Sequence, residues 1–410
     1  MAKPSTAVVV YFGDNVTGDG IFQLNSSLLD GTDVLGGDLG IDVTSDTNSV
    51  SFRRGRPSQV FDVIDAATGS VQLNNELRTY DPMYAAGDYY GQIKPGLRCT
   101  VSTNGITTFE CKVADLNLDY QVSGRSIAMM ELEDALAILG RQEFDEWTTT
   151  AAQTAGPRYD DILNRAEVAW AGGARDIDTG VSTLQDDLVT WGSNVLNYCQ
   201  LVAQSDLGLF FASRDGLVTF RDRHSNLLAT PAAEFADDGT GIAFQGVASS
   251  FGAEVYFTRV IVDREGGIGQ AVTTSAALTD GVRSLTITGL LQDSDSQALD
   301  MATFLANVYS SGDTRLSMVR VALDDTLLTA AQITQVLQLD LNSLVQVTYT
   351  PNGVGAAIVQ ECVVQGIDHD ITVDMHWVTL WLSKFDQSSV FILDDPVYGK
   401  LNSSVAVLAF

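Results

Sequence analysis

A chain of 410 residues with 23 Lys and Arg against 52 Asp and Glu carries a formal net charge of −29. That charge excludes a protein that grips nucleic acid over a broad basic face, and it disfavours docking on an anionic membrane. With 45% hydrophobic residues and a mean hydropathy of +0.09 the chain can bury a large core, and at roughly 150 residues per domain its length predicts about two to four domains.

No stretch approaches the roughly 20 apolar residues of a membrane helix. The opening run Ala7-Val8-Val9-Val10-Tyr11-Phe12 is short and β-branched, so it reads as a strand rather than a signal segment. Four cysteines are too few for a disulfide framework, and synthesis as a soluble chain in a reducing cytoplasm is expected.

Strands are predicted at Ala7–Phe12, Val50–Arg54, Ser58–Ile64, Ser70–Leu73 and Leu97–Ser102, with Gly36, Gly37 and Gly40 marking loops. Asn104-Gly105 predicts a two-residue hairpin loop. An unbroken register from that loop sets Cys99 opposite Glu110 and leaves Cys111 one step off, on the other face. A Cys99–Cys111 bridge then requires a bulge, and both thiols read as small buried side chains. Leu132, Ala135, Leu136 and Leu139 recur at helical spacing, and Gly140 is placed to stop that helix. Residues 1–142 are thus expected to form a first β domain with a trailing helix.

After a polar stretch closed by Pro157, residues 157–236 read as an α+β insert. Asp160 and Asp161 are expected to open a helix carrying Ile162, Ala166, Ala169 and Trp170, ended by Gly172-Gly173. A second helix is predicted from Asn194 to Asp206, followed by a hairpin that turns at Asp215-Gly216. Residues 237–386 return to strands at Val255–Asp263, Ser284–Thr288, Met318–Leu323, Val345–Tyr349, Ile358–Gln365 and Trp377–Leu382. Helices interrupt them at 298–309, capped by Asp293 or Ser294, and near Ala330–Leu337. Residues 387–410 read as an extension that packs on a neighbour.

Chemistry is sparse. There is no phosphate loop, no dinucleotide fingerprint between a strand and a helix, and no nucleophile elbow. His369, Asp374 and His376 are weak candidates for a divalent metal, because His-x6-His is no standard ligand spacing and a hairpin bend explains them as well. No catalytic residue and no cofactor is assigned. The basic cluster Arg53-Arg54-Gly55-Arg56 stands out in so acidic a chain. It reads either as a docking point for acidic groups of a neighbouring subunit or as a set of intramolecular pairs.

Several phrases, in order along nearly the whole chain, resemble minor tail proteins of long-tailed bacteriophages, especially those of actinobacterial hosts. They are Arg53-Arg54-Gly55-Arg56, Thr68-Gly69-Ser70-Val71-Gln72-Leu73-Asn74-Asn75, Tyr80-Asp81-Pro82 and Lys94-Pro95-Gly96. The middle carries Ser205-Asp206-Leu207-Gly208-Leu209-Phe210 and Asp215-Gly216-Leu217-Val218-Thr219-Phe220-Arg221. The closing phrases are Gly366-Ile367-Asp368-His369-Asp370-Ile371 and Trp377-Val378-Thr379-Leu380-Trp381-Leu382-Ser383. The chain departs from the pattern at Phe109-Glu110-Cys111-Lys112.

The resemblance implies a mainly β tail-hub fold, with two small β-barrels flanking a helix-helix-hairpin insert. It implies a non-enzymatic homotrimeric ring at the virion tail tip, with a distal tail ring, a tape-measure protein and tip or receptor-binding proteins as partners. DNA would pass only in transit, through an acidic lumen. A hexameric distal-tail ring adaptor is the alternative. A secreted β-sandwich carbohydrate-active protein is a more distant one; it would need clustered exposed aromatics and a carboxylate pair.

Overall fold

Alternating burial along Thr6–Phe12 (β1), with Val8, Val10 and Phe12 turned inward, begins a sheet that dominates the molecule. The computed structural model describes residues 3–12, 39–56, 63–122, 124–168, 170, 174–227, 229–310, 312 and 314–385. Most of the predicted Ser58–Ile64 strand, the end of the predicted 160–173 helix and the 387–410 extension lie outside the described residues.

The first half continues with β2 (Leu39–Asp42), β3 (Thr47–Gly55), β4 (Thr68–Asn74), β5 (Arg98–Thr103), β6 (Ile106–Tyr120) and β7 (Ser126–Glu133). Their inward residues, among them Val50, Phe52, Val71, Leu73, Val101, Phe109 and Met130, form one apolar cluster. Asn104 and Gly105 both have positive φ, as a two-residue hairpin turn requires. The predicted pairing holds for Thr103↔Ile106 and Ser102↔Thr107, then slips between Val101 and Ser102. This bulge sets Cys99 opposite Cys111, not Glu110. Glu110 instead faces Thr100 and accepts its hydroxyl at 2.8 Å. Both thiols are free and buried, and Cys111 Sγ donates to the Cys99 carbonyl at 3.1 Å.

Helix α1 (Ala135–Leu139) is shorter than its apolar spacing predicts, because Leu132 belongs to β7. Asp134 caps it, accepting from Leu136 N at 2.9 Å. Helix α2 (Ala155–Leu163) starts before Asp160 rather than at it. Pro157 lies in its first turn, where a missing N–H costs nothing, so it does not mark the boundary expected of it. Helix α3 (Val195–Asp206) has Asn194 as its cap, and β8 (Leu209–Ala212) pairs with β9 (Val218–Arg221) as predicted. Tyr159 stacks on Phe210 at 4.9 Å, which seats α2 on this hairpin.

The second half comprises β10 (Ala233–Ala236), β11 (Gly246–Ser250), β12 (Arg259–Arg264), β13 (Gln270–Thr273), β14 (Ser284–Leu290), α4 (Asp295–Tyr309), β15 (Arg315–Ala322), α5 (Ala330–Gln338), β16 (Leu344–Tyr349), β17 (Ile358–Thr372) and β18 (His376–Lys384). Ser294 caps α4, and Thr329 with Gln332 forms a capping box on α5. Strands β12 to β14 form a separate three-stranded sheet whose apolar face packs on α4 through Val260, Val262, Met301 and Leu305.

Two self-contained barrels are not what the strands build. Thirteen strands from both halves belong to one sheet, in the order β11-β15-β18-β17-β3-β4-β7-β6-β5-β1-β2, with β16 on β17 and β10 on β16. Among the described residues no sheet closes on itself. The halves are joined by the antiparallel pairing of β3 with β17, from Gly366↔Gly55 to Thr372↔Ser49.

Candidate functional site

The seam between β3 and β17 gathers the residues singled out by sequence. Register places Arg53 opposite Asp368, and the two form a two-pronged ion pair at 2.7 Å per contact. Trp381 Nε1 donates to the same carboxylate at 3.0 Å. Arg54 points to the other face, is 1% exposed, and pairs with Asp340 at 2.7 Å. Asp340 also accepts from Arg214 N and Leu341 N, so this one carboxylate ties β3 to the insert hairpin and to the segment after α5. Arg56 donates twice to Gln365 Oε1, at 2.9 and 2.6 Å.

Gly55, between them, has φ +79°, and a Cβ there would crowd Gly366 Cα at 2.9 Å, so the strands meet this closely only with glycine present. The arginines therefore act inside the chain: Arg54 and Arg56 are buried, and a neighbouring subunit cannot reach them. The expectation of a docking point gives way, for those two, to intramolecular pairing. A buried guanidinium must find its acceptor within the chain.

His369 and His376 do come together. Pairing of β17 with β18 brings His369 Nδ1 within 2.9 Å of His376 Nε2, and Phe52 stacks on His369 at 4.6 Å. Asp374 stays in the exposed turn between the two strands. Among the described residues no group of three or more His, Cys, Asp or Glu gathers as a metal site would require. Burial, the neighbouring imidazole and the Arg54 charge hold His369 well below its usual range. Burial and Lys3 lower His376 to about 3. Both rings are thus neutral side chains filling the seam.

The phrase Ser205-Asp206-Leu207-Gly208 also has a structural use. Asp206 accepts from Val181 N at 2.9 Å and from Ser182 N, and burial raises its carboxyl. Leu207 adopts the left-handed conformation that ends α3. A cavity of about 650 Å3 lies nearby, with Phe210, Leu285, Ile287, Phe304, Val363 and Phe385 among its walls. The described cysteines are buried, and burial raises the Cys111, Cys199 and Cys362 thiols, which makes them inert rather than nucleophilic. No helix among the described residues is long and apolar enough to cross a membrane.

The feature that sequence reasoning missed is the pair of sheet ends. Among the described residues β11 and β2, at the two ends of the main strand order, each pair on one side only, as does β10 on its branch beside β16. Strand order is a long-range property, so no local signal marks them.

No family model matches the sequence. No curated protein matches it either. Solved structures do share the fold. A prophage MuSo2 43 kDa tail protein from Shewanella oneidensis superposes with TM-score 0.57 at 15% identity, covering 92% of this chain and 98% of that one. A tail protein from Neisseria meningitidis gives 0.59 at 12% identity, over 93% and 97%. A prophage tail protein from Listeria monocytogenes gives 0.50 at 10% identity, over 93% and 96%. The chain has the fold of phage tail proteins over nearly its whole described length.

Proposed function

We propose that this chain is a structural, non-catalytic component of a long-tailed bacteriophage tail, and that its copies close side by side into the hub ring at the tail tip. The observation that carries the reading is the single sheet running through both halves, whose end strands, among the described residues, pair on one side only. A sheet that can be continued from one copy to the next suits a wall around a bore. The shared fold with proteins described as tail proteins supports the same reading.

A trimer is the assembly proposed, since two β halves per copy give three copies six similar β segments, matching a sixfold tube. A hexameric distal-tail adaptor is the alternative stoichiometry. Neighbouring ring, tape-measure and tip or receptor-binding proteins are its proposed partners, and the virion tail tip its location. DNA would meet it only in passage, and a wall rich in carboxylates releases no counterions to phosphate and so does not hold the duplex.

The test is a particle image with symmetry resolved, together with mass measurement of the purified 43.9 kDa chain. Three copies around an acidic bore are expected. A chain that remains single at every concentration and is absent from purified tails would falsify the reading.

A further inference from the structure

Two segments at one end of the large sheet carry no formal charge, and this is unusual in a chain of net charge −29. Residues 341–360 contain no Asp, Glu, Lys or Arg, and neither do residues 239–253. The first run is the β16–β17 hairpin; the second includes the edge strand β11 and Phe251 just after it. Sequence separates them by about ninety positions, but the fold brings them together. Gln360 accepts from Leu316 N at 2.8 Å and donates to Thr314 O at 3.2 Å, while Ser249 and Ser250 of β11 pair with Leu316 and Arg315. The Phe251 ring lies against Gly312, where an added Cβ would be 3.4 Å away.

The result is an exposed apolar surface. Val354 is 75% exposed, Val359 58%, Ile358 39% and Phe251 71%, and Ala356 and Ala357 between them are also exposed. Of the two arginines that β15 sets opposite β11, Arg315 is turned inward over Tyr309 and is 9% exposed, and Arg320, opposite Gly246 at the far end of the strand, lies over Trp377. Among the described residues, the acidic side chains near this surface stand at its border: Asp237, which accepts from Thr350 N, with Glu254 and Glu361. An uncharged apolar centre with a polar rim is the anatomy of a protein interface. Edge strands that stay unpaired are commonly protected by Lys or Pro, and β11 has neither.

We infer that a second copy of this chain docks on this surface, through Phe251 and the Val354–Val359 tip. The occupant follows from charge. Two copies at −29 repel wherever acidic faces meet, and these uncharged segments are where they can approach at least cost. A basic partner would be drawn to the acidic faces instead, and the acidic rim disfavours an anionic bilayer. The inference rests on the ring reading, and it says where one copy meets the next.

The test is sedimentation velocity of the full chain and of Phe251→Asp and Val359→Asp, with Val122→Asp as the control. Val122 is fully exposed on the turn joining β6 and β7, beside Asp119 and Arg125. All three positions are on the surface, so unchanged thermal melting is expected. Wild type and Val122→Asp should self-associate, more tightly at higher salt, and the other two should dissociate about tenfold more readily or worse. Variants that assemble as wild type does would overturn the docking surface and leave the ring reading standing. A wild-type chain that never self-associates would remove both. Flotation with phosphatidylcholine vesicles that is lost in Val359→Asp, with assembly intact, would assign the tip to a bilayer and overturn the inference.

Discussion

The β3–β17 seam inside the large sheet and the β11 strand at its end are built from opposite materials. The seam holds Arg53, Arg54 and Arg56 with Asp368, Asp340 and Gln365, and two imidazoles against a phenyl ring. The two segments that come near each other at the β11 end, residues 239–253 and 341–360, have no charge and expose Phe251, Val354 and Val359. Charge placed where strands of one chain meet is paired by that chain and offers nothing to a partner. Surface left without charge, in so acidic a molecule, is where another molecule can settle. A basic cluster seen only as sequence invites the reverse assignment.

Removing the Arg54 guanidinium should have the largest effect on this contrast. Arg54→Ala strips a buried ion pair whose carboxylate also holds the insert hairpin, and should cost about 3 kcal/mol in urea denaturation. Loss of ring assembly without loss of chain stability would return the cluster to the intersubunit role.

Acidification should loosen the seam next. Both imidazoles bind protons less readily folded than unfolded, so their contribution is intact above about pH 6.5 and is lost as pH falls, by up to about 1.4 kcal/mol per pH unit for each ring. Asp134 acts in the opposite sense. Burial raises its carboxyl to about 7, so the folded state holds that proton better and gains stability as pH falls from about 7 to 4. The net slope between pH 6.5 and 4 should be near that of one imidazole, and Asp134→Asn should steepen it. Denaturation midpoints at stepped pH values check both, and a flat profile would mean the rings are not neutral seam packing.

Arg53→Ala should have the smallest effect, under about 1 kcal/mol, because its side chain is half exposed and its ion pair is screened by water. A cost equal to that of Arg54→Ala would show that the two faces of β3 are equally buried in the working assembly.

Much of this architecture could be read locally. The α3 cap at Asn194, the β8–β9 hairpin with its Asp215-Gly216 turn, the α4 stripe and the Asn104-Gly105 turn follow from propensity, periodicity and positive φ, which act over a few residues. The bulge at Val101 and Ser102 did not show, because nothing in an alternating pattern marks one extra residue, and that single slip turned Cys99 from Glu110 to Cys111. The β11 end was equally hidden, because Ser249, Ser250 and Gln360 come near one another only through residues 314–316, on which all three are seated.

By itself the sequence determined the strand-rich composition, the acidic balance, the caps and turns, and a run of phrases resembling tail proteins. Tertiary structure alone decided that both halves share one open sheet, that Arg54 and Arg56 face inward, that the two histidines touch, and that the uncharged segments are seated at one end. Local preferences depend on neighbours along the chain. Strand order and burial depend on which distant segments find each other, and here the β3–β17 pairing, with Phe52 stacked on His369, joins the two halves.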